Sequence, residues 1–281
     1  MPIRNRRAAA LPAKLSRSWL LINAGKEEDY APGLASEADS VIFDLEASVP
    51  DEKKDAARAS VLRALNGGMT AWVRISPTTS RHWEDDVAAL AEAGGLRGVM
   101  LAETERPDQV TYTAMRLRAG TPVIALVESA LGVENATQIA SAPGTFRLAF
   151  GTNDFRKDTG VSSDPMALAY ARSRLVIASR VGGLPGAIDG PAEATADEAA
   201  IAEACQVTAS MGMTGKLSLN RAQVELVNKG LSPSEDELNW ARELIEAHEK
   251  GASIGDGSYL PRLARAQKIA SLADSYGLWN A

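Results

Sequence analysis

Four stretches carry the residue types that could hold a hard cation and a carboxylate beside it. They are Asp44-Leu45-Glu46, Arg74, Glu128, and Gly151-Thr152-Asn153-Asp154, and each closes or follows a short apolar run. Several carboxylates gathered on one face cost several kcal/mol unless a cation answers them. Oxygen ligands with no histidine among them suit Mg²⁺, with Mn²⁺ as the other option, rather than zinc. Glu128 and Asp154 are expected to be the metal ligands, since consecutive strands would carry both to one ion. Arg74 offers a planar fork for a substrate carboxylate. Asp44 and Glu46 are expected to orient water or neighbouring groups in catalysis, and Gly151 and Asn153 to line the bound substrate.

Plainer readings compete at several of these positions. Asp154 could be a helix N-cap, Glu128 a capping or ion-paired residue, and Asp44 the partner of Arg58 or Arg74. Lys53, Lys54 and Arg58 lie on one predicted helix, either as a solvated face or as contacts for a phosphate-bearing cofactor. Cys205 reads as a small core residue, and His82-Trp83 as the structural start of a helix.

Such residues need elements that aim them at one point, and the chain alternates short β-rich runs with longer amphipathic stretches. Strands are predicted at Trp19–Asn23, Ser40–Leu45, Ala71–Ile75, Gly98–Ala102, Val123–Val127, Phe146–Phe150, Gly186–Ile188 and Lys216–Leu219. The first six are nearly continuous apolar runs, as parallel strands buried on both faces should be. Helices are predicted at Glu52–Leu65, Trp83–Ala93, Asp108–Arg118, Pro165–Ser179 and Asp197–Ala209. Eight strands alternating with helices predict an α/β TIM (β/α)8 barrel, whose site lies at the C-terminal strand ends. The rival, a doubly wound sheet, would want a glycine fingerprint after the first strand, and Asn23-Ala24-Gly25-Lys26 is not one.

Residues 1–230 are assigned to the barrel and 231–281 to a C-terminal helical extension, expected to pack on the barrel or on a neighbouring subunit. Ser234 and Glu237 form a capping box before a helix at Glu235–Lys250. A break at Gly251–Gly257 precedes a last helix, Arg262–Tyr276.

The 281 residues carry 30 basic and 36 acidic side chains, a net charge of −6, which argues against a nucleic-acid partner. With 45% hydrophobic and 23% charged residues the chain is of globular composition. One cysteine forbids an intrachain disulfide, and two distant histidines offer no zinc site. The apolar run Trp19–Ile22 is too short to be a targeting core, no run approaches a membrane span, and Arg4, Arg6 and Arg7 read as a frayed tail. The cytoplasm is the expected location, with no membrane partner.

Read as an ordered set, the motifs resemble the citrate lyase beta-subunit and HpcH/HpaI aldolase superfamily. The matching stretches are Arg17-Ser18-Trp19-Leu20, Val41–Val49 with Lys54 and Arg58, Val73-Arg74-Ile75, Val127–Val133, Phe150–Asp154, Gly215-Lys216 with Gln223, and Pro233-Ser234. The resemblance implies a TIM barrel assembled as a homotrimer or hexamer that makes or breaks carbon–carbon bonds. It implies that Glu128 and Asp154 hold Mg²⁺, that Arg74 grips the substrate carboxylate, and that the substrate is a hydroxy or oxo acid or its CoA thioester. The chain departs from the family pattern in five places, one of them near Asn23-Ala24, where the proline after the first strand is replaced. Ala47 stands where the acidic motif has aspartate, and Glu103 where the fourth strand usually ends in lysine. Leu219-Asn220-Arg221 replaces Ile-His-Pro, and Gly257–Pro261 lacks the arm's aspartate. These losses keep a second reading open, a non-catalytic barrel serving as a subunit or ligand-binding protein.

Overall fold

In the computed structural model, residues 11–251 and 257–279 are described. The tail carrying Arg4, Arg6 and Arg7 and most of the predicted break after Gly251 lie outside them. Eight parallel strands, β1 (Ser18–Asn23), β2 (Ser40–Asp44), β3 (Ala71–Ile75), β4 (Leu96–Leu101), β5 (Val123–Val127), β6 (Thr145–Phe150), β7 (Ile188–Asp189) and β8 (Gly215–Ser218), close into a barrel in sequence order. The TIM-barrel expectation holds. Strand β7 is shorter than expected, a two-residue stave.

Helices α1 (Tyr30–Leu34), α2 (Lys54–Asn66), α3 (Trp83–Leu90), α4 (Pro107–Arg116), α5 (Ala130–Glu134), α6 (Ala136–Ala140), α7 (Thr152–Thr159), α8 (Ala169–Val181), α9 (Glu198–Ser210) and α10 (Val224–Gly230) follow the strands. Alternation along each strand divides the core into two layers. Trp19, Ile42, Trp72, Met100, Ile124, Leu126, Ala149, Ile188 and Leu217 fill the barrel. Leu20, Phe43, Val73, Val127, Phe150 and their neighbours face the helices. At the N-terminal end Trp72 packs between Trp19 and Phe146, with ring centroids 5.3 and 5.5 Å away. The Arg147 guanidinium lies over Trp19 and donates to the Ser16 carbonyl. This aromatic plug leaves the opposite end as the place for a site.

A second charged cluster lies outside the barrel wall. Asp189, fully buried, accepts from Arg172 of α8 (3.0 Å), Thr208 of α9 (2.6 Å) and Lys216 of β8 (3.2 Å). Burial opposes its ionisation, but the Lys216 and Arg172 charges overcome this and hold its carboxyl below the usual range.

Residues Leu231–Ala281 form a separate compact unit. Its helices α11 (Glu235–Glu249) and α12 (Tyr259–Tyr276) bury Ala241, Ala266 and Ile269 against each other. The predicted capping box is present: Ser234 accepts from the Glu237 amide and Glu237 from the Ser234 amide, both at 3.2 Å. Helix α12 begins at Tyr259, three residues before the predicted start.

Candidate active site

The parity that sends Ile42, Trp72 and Leu126 into the barrel sends Asp44, Arg74 and Glu128, two residues further on, to its C-terminal mouth. Asp44 and Arg74 are register partners on β2 and β3. Arg74 Nε and Nη2 donate to the two oxygens of Asp44 at 2.6 and 2.7 Å, and Nη1 lies 3.3 Å from Glu46. The same Asp44 oxygens accept the amides of Glu46 and Ser48. Burial alone would raise the Asp44 carboxyl, but Arg74 and these hydrogen bonds hold it below its ordinary value. Of the two pairings the sequence allowed, Asp44 takes Arg74. Arg58 instead bonds Asp86 and Asp55.

A guanidinium has five N–H donors. Nε–H and one Nη2–H go to Asp44, and Nη1 lies beside Glu46, so the side edge of the fork belongs to Asp44 and part of its donor set remains for a ligand.

Glu128 is buried at the end of β5, and its Oε1 accepts the Glu103 amide at 2.7 Å. Burial pushes its carboxyl up to about 8; the Glu103 amide and Arg74 oppose the rise, and the nearby charges of Asp154 and Glu46 add to it. Glu46 is also raised, by burial first, with Arg74 opposing. Asp154 is exposed and stands third in α7, so it is not the N-cap; Gly151 holds that position. A methyl group on Gly151 would overlap the Glu128 carboxylate, so glycine here lets β6 approach that side chain. Asn153, assigned to substrate binding, lines a separate cleft with Arg156, Arg172 and Lys216.

Among the described residues no group of three or more His, Cys, Asp or Glu side chains is arranged for a metal ion; the carboxylates of Asp154 and Glu46 lie near enough to Glu128 for their charges to act on it. Neither Glu128 nor Asp154 forms an ion pair among the described residues. An oxygen-only pair, one member raised by burial first and by neighbouring negative charge after it, fits a hard divalent cation that keeps sites for water and substrate.

Two residues had other expected roles. Lys54 is not part of a solvated face: its buried ammonium donates to the carbonyls of Leu45 and Glu46 at 2.7 and 2.8 Å, tying down the loop that carries Glu46. Arg58 is likewise buried.

The profile of the HpcH/HpaI aldolase/citrate lyase family matches residues 28–221, and that of the HpcH/HpaI aldolase C-terminal domain matches 236–277. The chain belongs to the HpcH/HpaI aldolase/citrate lyase family. It is 32% identical to a (3S)-malyl-CoA thioesterase of Cereibacter sphaeroides, over 92% of this chain and 97% of that one. It is also 32% identical to the citrate lyase subunit beta of Leuconostoc mesenteroides, over 85% and 86%. Among solved structures, the CitE protein of Mycobacterium tuberculosis in complex with magnesium, acetoacetate and coenzyme A superposes with a TM-score of 0.77. That match has 27% identity and covers 93% of this chain and 99% of the other. Membership in this family supports the reading of the sequence as a magnesium-dependent carbon–carbon lyase.

Proposed function

We propose that Glu128 and Asp154 hold a magnesium ion at the barrel mouth and that the protein cleaves or forms a carbon–carbon bond in a small oxo or hydroxy carboxylic acid. The single observation that carries this reading is the buried Glu128 carboxyl, in no ion pair among the described residues and close to the carboxylates of Asp154 and Glu46. When bound, the ion supplies Lewis-acid polarisation of the substrate's oxo group, the electron sink that such a cleavage needs.

The chain's own residues do the rest. Arg74 binds the substrate carboxylate through the N–H groups that Asp44 leaves unused. Asp44 is a positioning residue: it fixes the plane of the guanidinium and does not itself touch substrate. Glu46, raised by burial and 3.3 Å from Arg74, is the group placed to hold or release a proton at its carboxyl oxygen. The CitE complex with coenzyme A supports a CoA thioester as one form of the substrate.

The reading includes a homotrimer or hexamer. Met166, Tyr170, Ile177 and Val181, exposed along and just before α8 at helical spacing, support self-association. It also includes a C-terminal unit that packs on a barrel, its own or a neighbour's, and a cytoplasmic location. The latter is supported by Trp19–Ile22, which forms part of β1 and not a targeting core. No helix among the described residues is long and apolar enough to cross a membrane.

The test is calorimetric titration of Mg²⁺ and then oxaloacetate into the wild type, Glu128→Gln and Asp154→Asn. The wild type is expected to bind oxaloacetate only with Mg²⁺, and each variant to lose at least a hundredfold in affinity. Undiminished binding in both variants overturns the assignment.

A further inference from the structure

Beside the candidate metal pair, on the β2–β4 side of the mouth, lies an open cleft of about 440 Å³. Glu46, Asp51, Lys54, Ser76 and Glu103 line it, with Ala47 on its wall. Three carboxylates therefore face one lysine, but their charges are not equally answered. Lys54 spends its ammonium on two carbonyls. Asp51 has Arg81 and His82 at 3.4 and 3.5 Å, and Glu46 has Arg74. Among the described residues no ion pair or side-chain hydrogen bond engages the Glu103 carboxylate, which is exposed to the cleft.

Two further observations mark the cleft as more than an acidic surface. Ser76 is 1% exposed, lines the cleft, and its hydroxyl has no hydrogen-bond partner. A buried hydroxyl left without a partner is costly, and a ligand group that bonds it removes that cost. Glu103 is the one described non-glycine residue with positive φ, at 46°. That conformation costs an L-residue about 1 kcal/mol. Through it the residue's amide holds Glu128 while its side chain stands at the cleft. The cleft thus opens where the substrate's carbonyl is to be polarised.

We propose that this cleft receives the part of the substrate beyond the reacting carbonyl and selects an uncharged or cationic group bearing hydrogen-bond donors over a second carboxylate, with Glu103 setting the preference. The proposal rests on the metal-site reading. A carboxylate entering here meets the unanswered charge of Glu103 and the raised carboxyl of Glu46. A donor-bearing group meets the Glu103 acceptor, while the Ser76 hydroxyl, which both donates and accepts, can pair with either kind of group.

The matched probes are oxaloacetate and its 4-amide, 2-oxosuccinamate, which have the same shape and differ only in charge and donors at the far end. Binding of each is measured calorimetrically with Mg²⁺ present, in the wild type, Glu103→Gln, Glu103→Lys and Ser76→Ala. The wild type is expected to bind the amide at least tenfold more tightly. Glu103→Gln narrows that ratio, and Glu103→Lys reverses it. Ser76→Ala weakens both probes severalfold and leaves their ratio within twofold of the wild type. A wild type that prefers oxaloacetate, or a ratio that Glu103→Lys leaves in place, overturns the proposal while the metal site stands. If the wild type binds neither oxo acid, the metal-site reading fails and the proposal with it.

Discussion

The backbone amide of Glu103 donates a 2.7 Å hydrogen bond to Oε1 of Glu128, and it does so from a left-handed conformation. A strained residue at the end of β4 thus fixes one oxygen of a buried carboxylate at the end of β5. The other oxygen lies against Gly151. The strain is local and accompanies the orientation of a buried carboxyl.

Magnesium binding should be coupled to proton release. With its carboxyl raised to about 8, Glu128 is mostly protonated at pH 7 in the metal-free protein, and an incoming cation must displace that proton. Apparent Mg²⁺ affinity should therefore fall as the pH drops below 8, approaching tenfold per pH unit. The sign for stability follows: because the folded pKa lies above the unfolded one, metal-free stability declines as pH rises from the ordinary carboxylate range through 8. Added Mg²⁺ should reverse that decline. Calorimetry at pH 6, 7 and 8 checks the first expectation and urea melts with and without Mg²⁺ the second; a pH-independent affinity would contradict the linkage.

Gly151→Ala should damage the site and spare the barrel. The new methyl group would occupy the place of the Glu128 carboxylate, which must swing aside. Mg²⁺ affinity is expected to fall at least tenfold while the circular dichroism spectrum stays that of the wild type.

Removing Arg74 should be more destructive than removing the pair. Arg74→Ala leaves Asp44, whose side chain is 3% exposed, without its counter-ion, and a loss of about 3 kcal/mol is expected. Arg74→Ala combined with Asp44→Ala should recover part of it. Urea denaturation of the three variants gives the comparison, and a double variant no more stable than Arg74→Ala contradicts the account.

The Asp189 cluster should dominate one part of the acid response. Its carboxyl is held low by Lys216 and Arg172. Its contribution is therefore complete above the unfolded carboxylate value of about 4 and fades as the pH falls further, through the depressed folded value. Asp189→Asn leaves two buried cations unanswered and should cost about 3 kcal/mol at pH 7. The gap between variant and wild type should shrink between pH 4 and pH 2. A constant gap in urea melts across that range would show that Asp189 is not ionised in the native state.

The barrel was legible because its staves are apolar on both faces: Ala71–Ile75 and Val123–Val127 have the predicted boundaries. Strand β7 was harder, since only Ile188 and Asp189 pair and glycines flank them closely. Helices α5, α6 and α7 escaped notice because five to eight residues carry too few turns for periodicity to show. At the mouth, strand-end position pointed to Asp44, Arg74 and Glu128. What position could not reveal was how Arg74 is shared, because hydrogen-bond allocation depends on register across β2 and β3. Lys54 was misread for a related reason: its acceptors are loop carbonyls, which have no side-chain signature.

Trp19, Trp72 and Phe146 stop the barrel at its floor. A reaction that splits one molecule into two must then discharge both fragments by the doorway through which the parent arrived. Entry and exit are thereby confined to one face, the one on which Asp44, Arg74 and Glu128 stand.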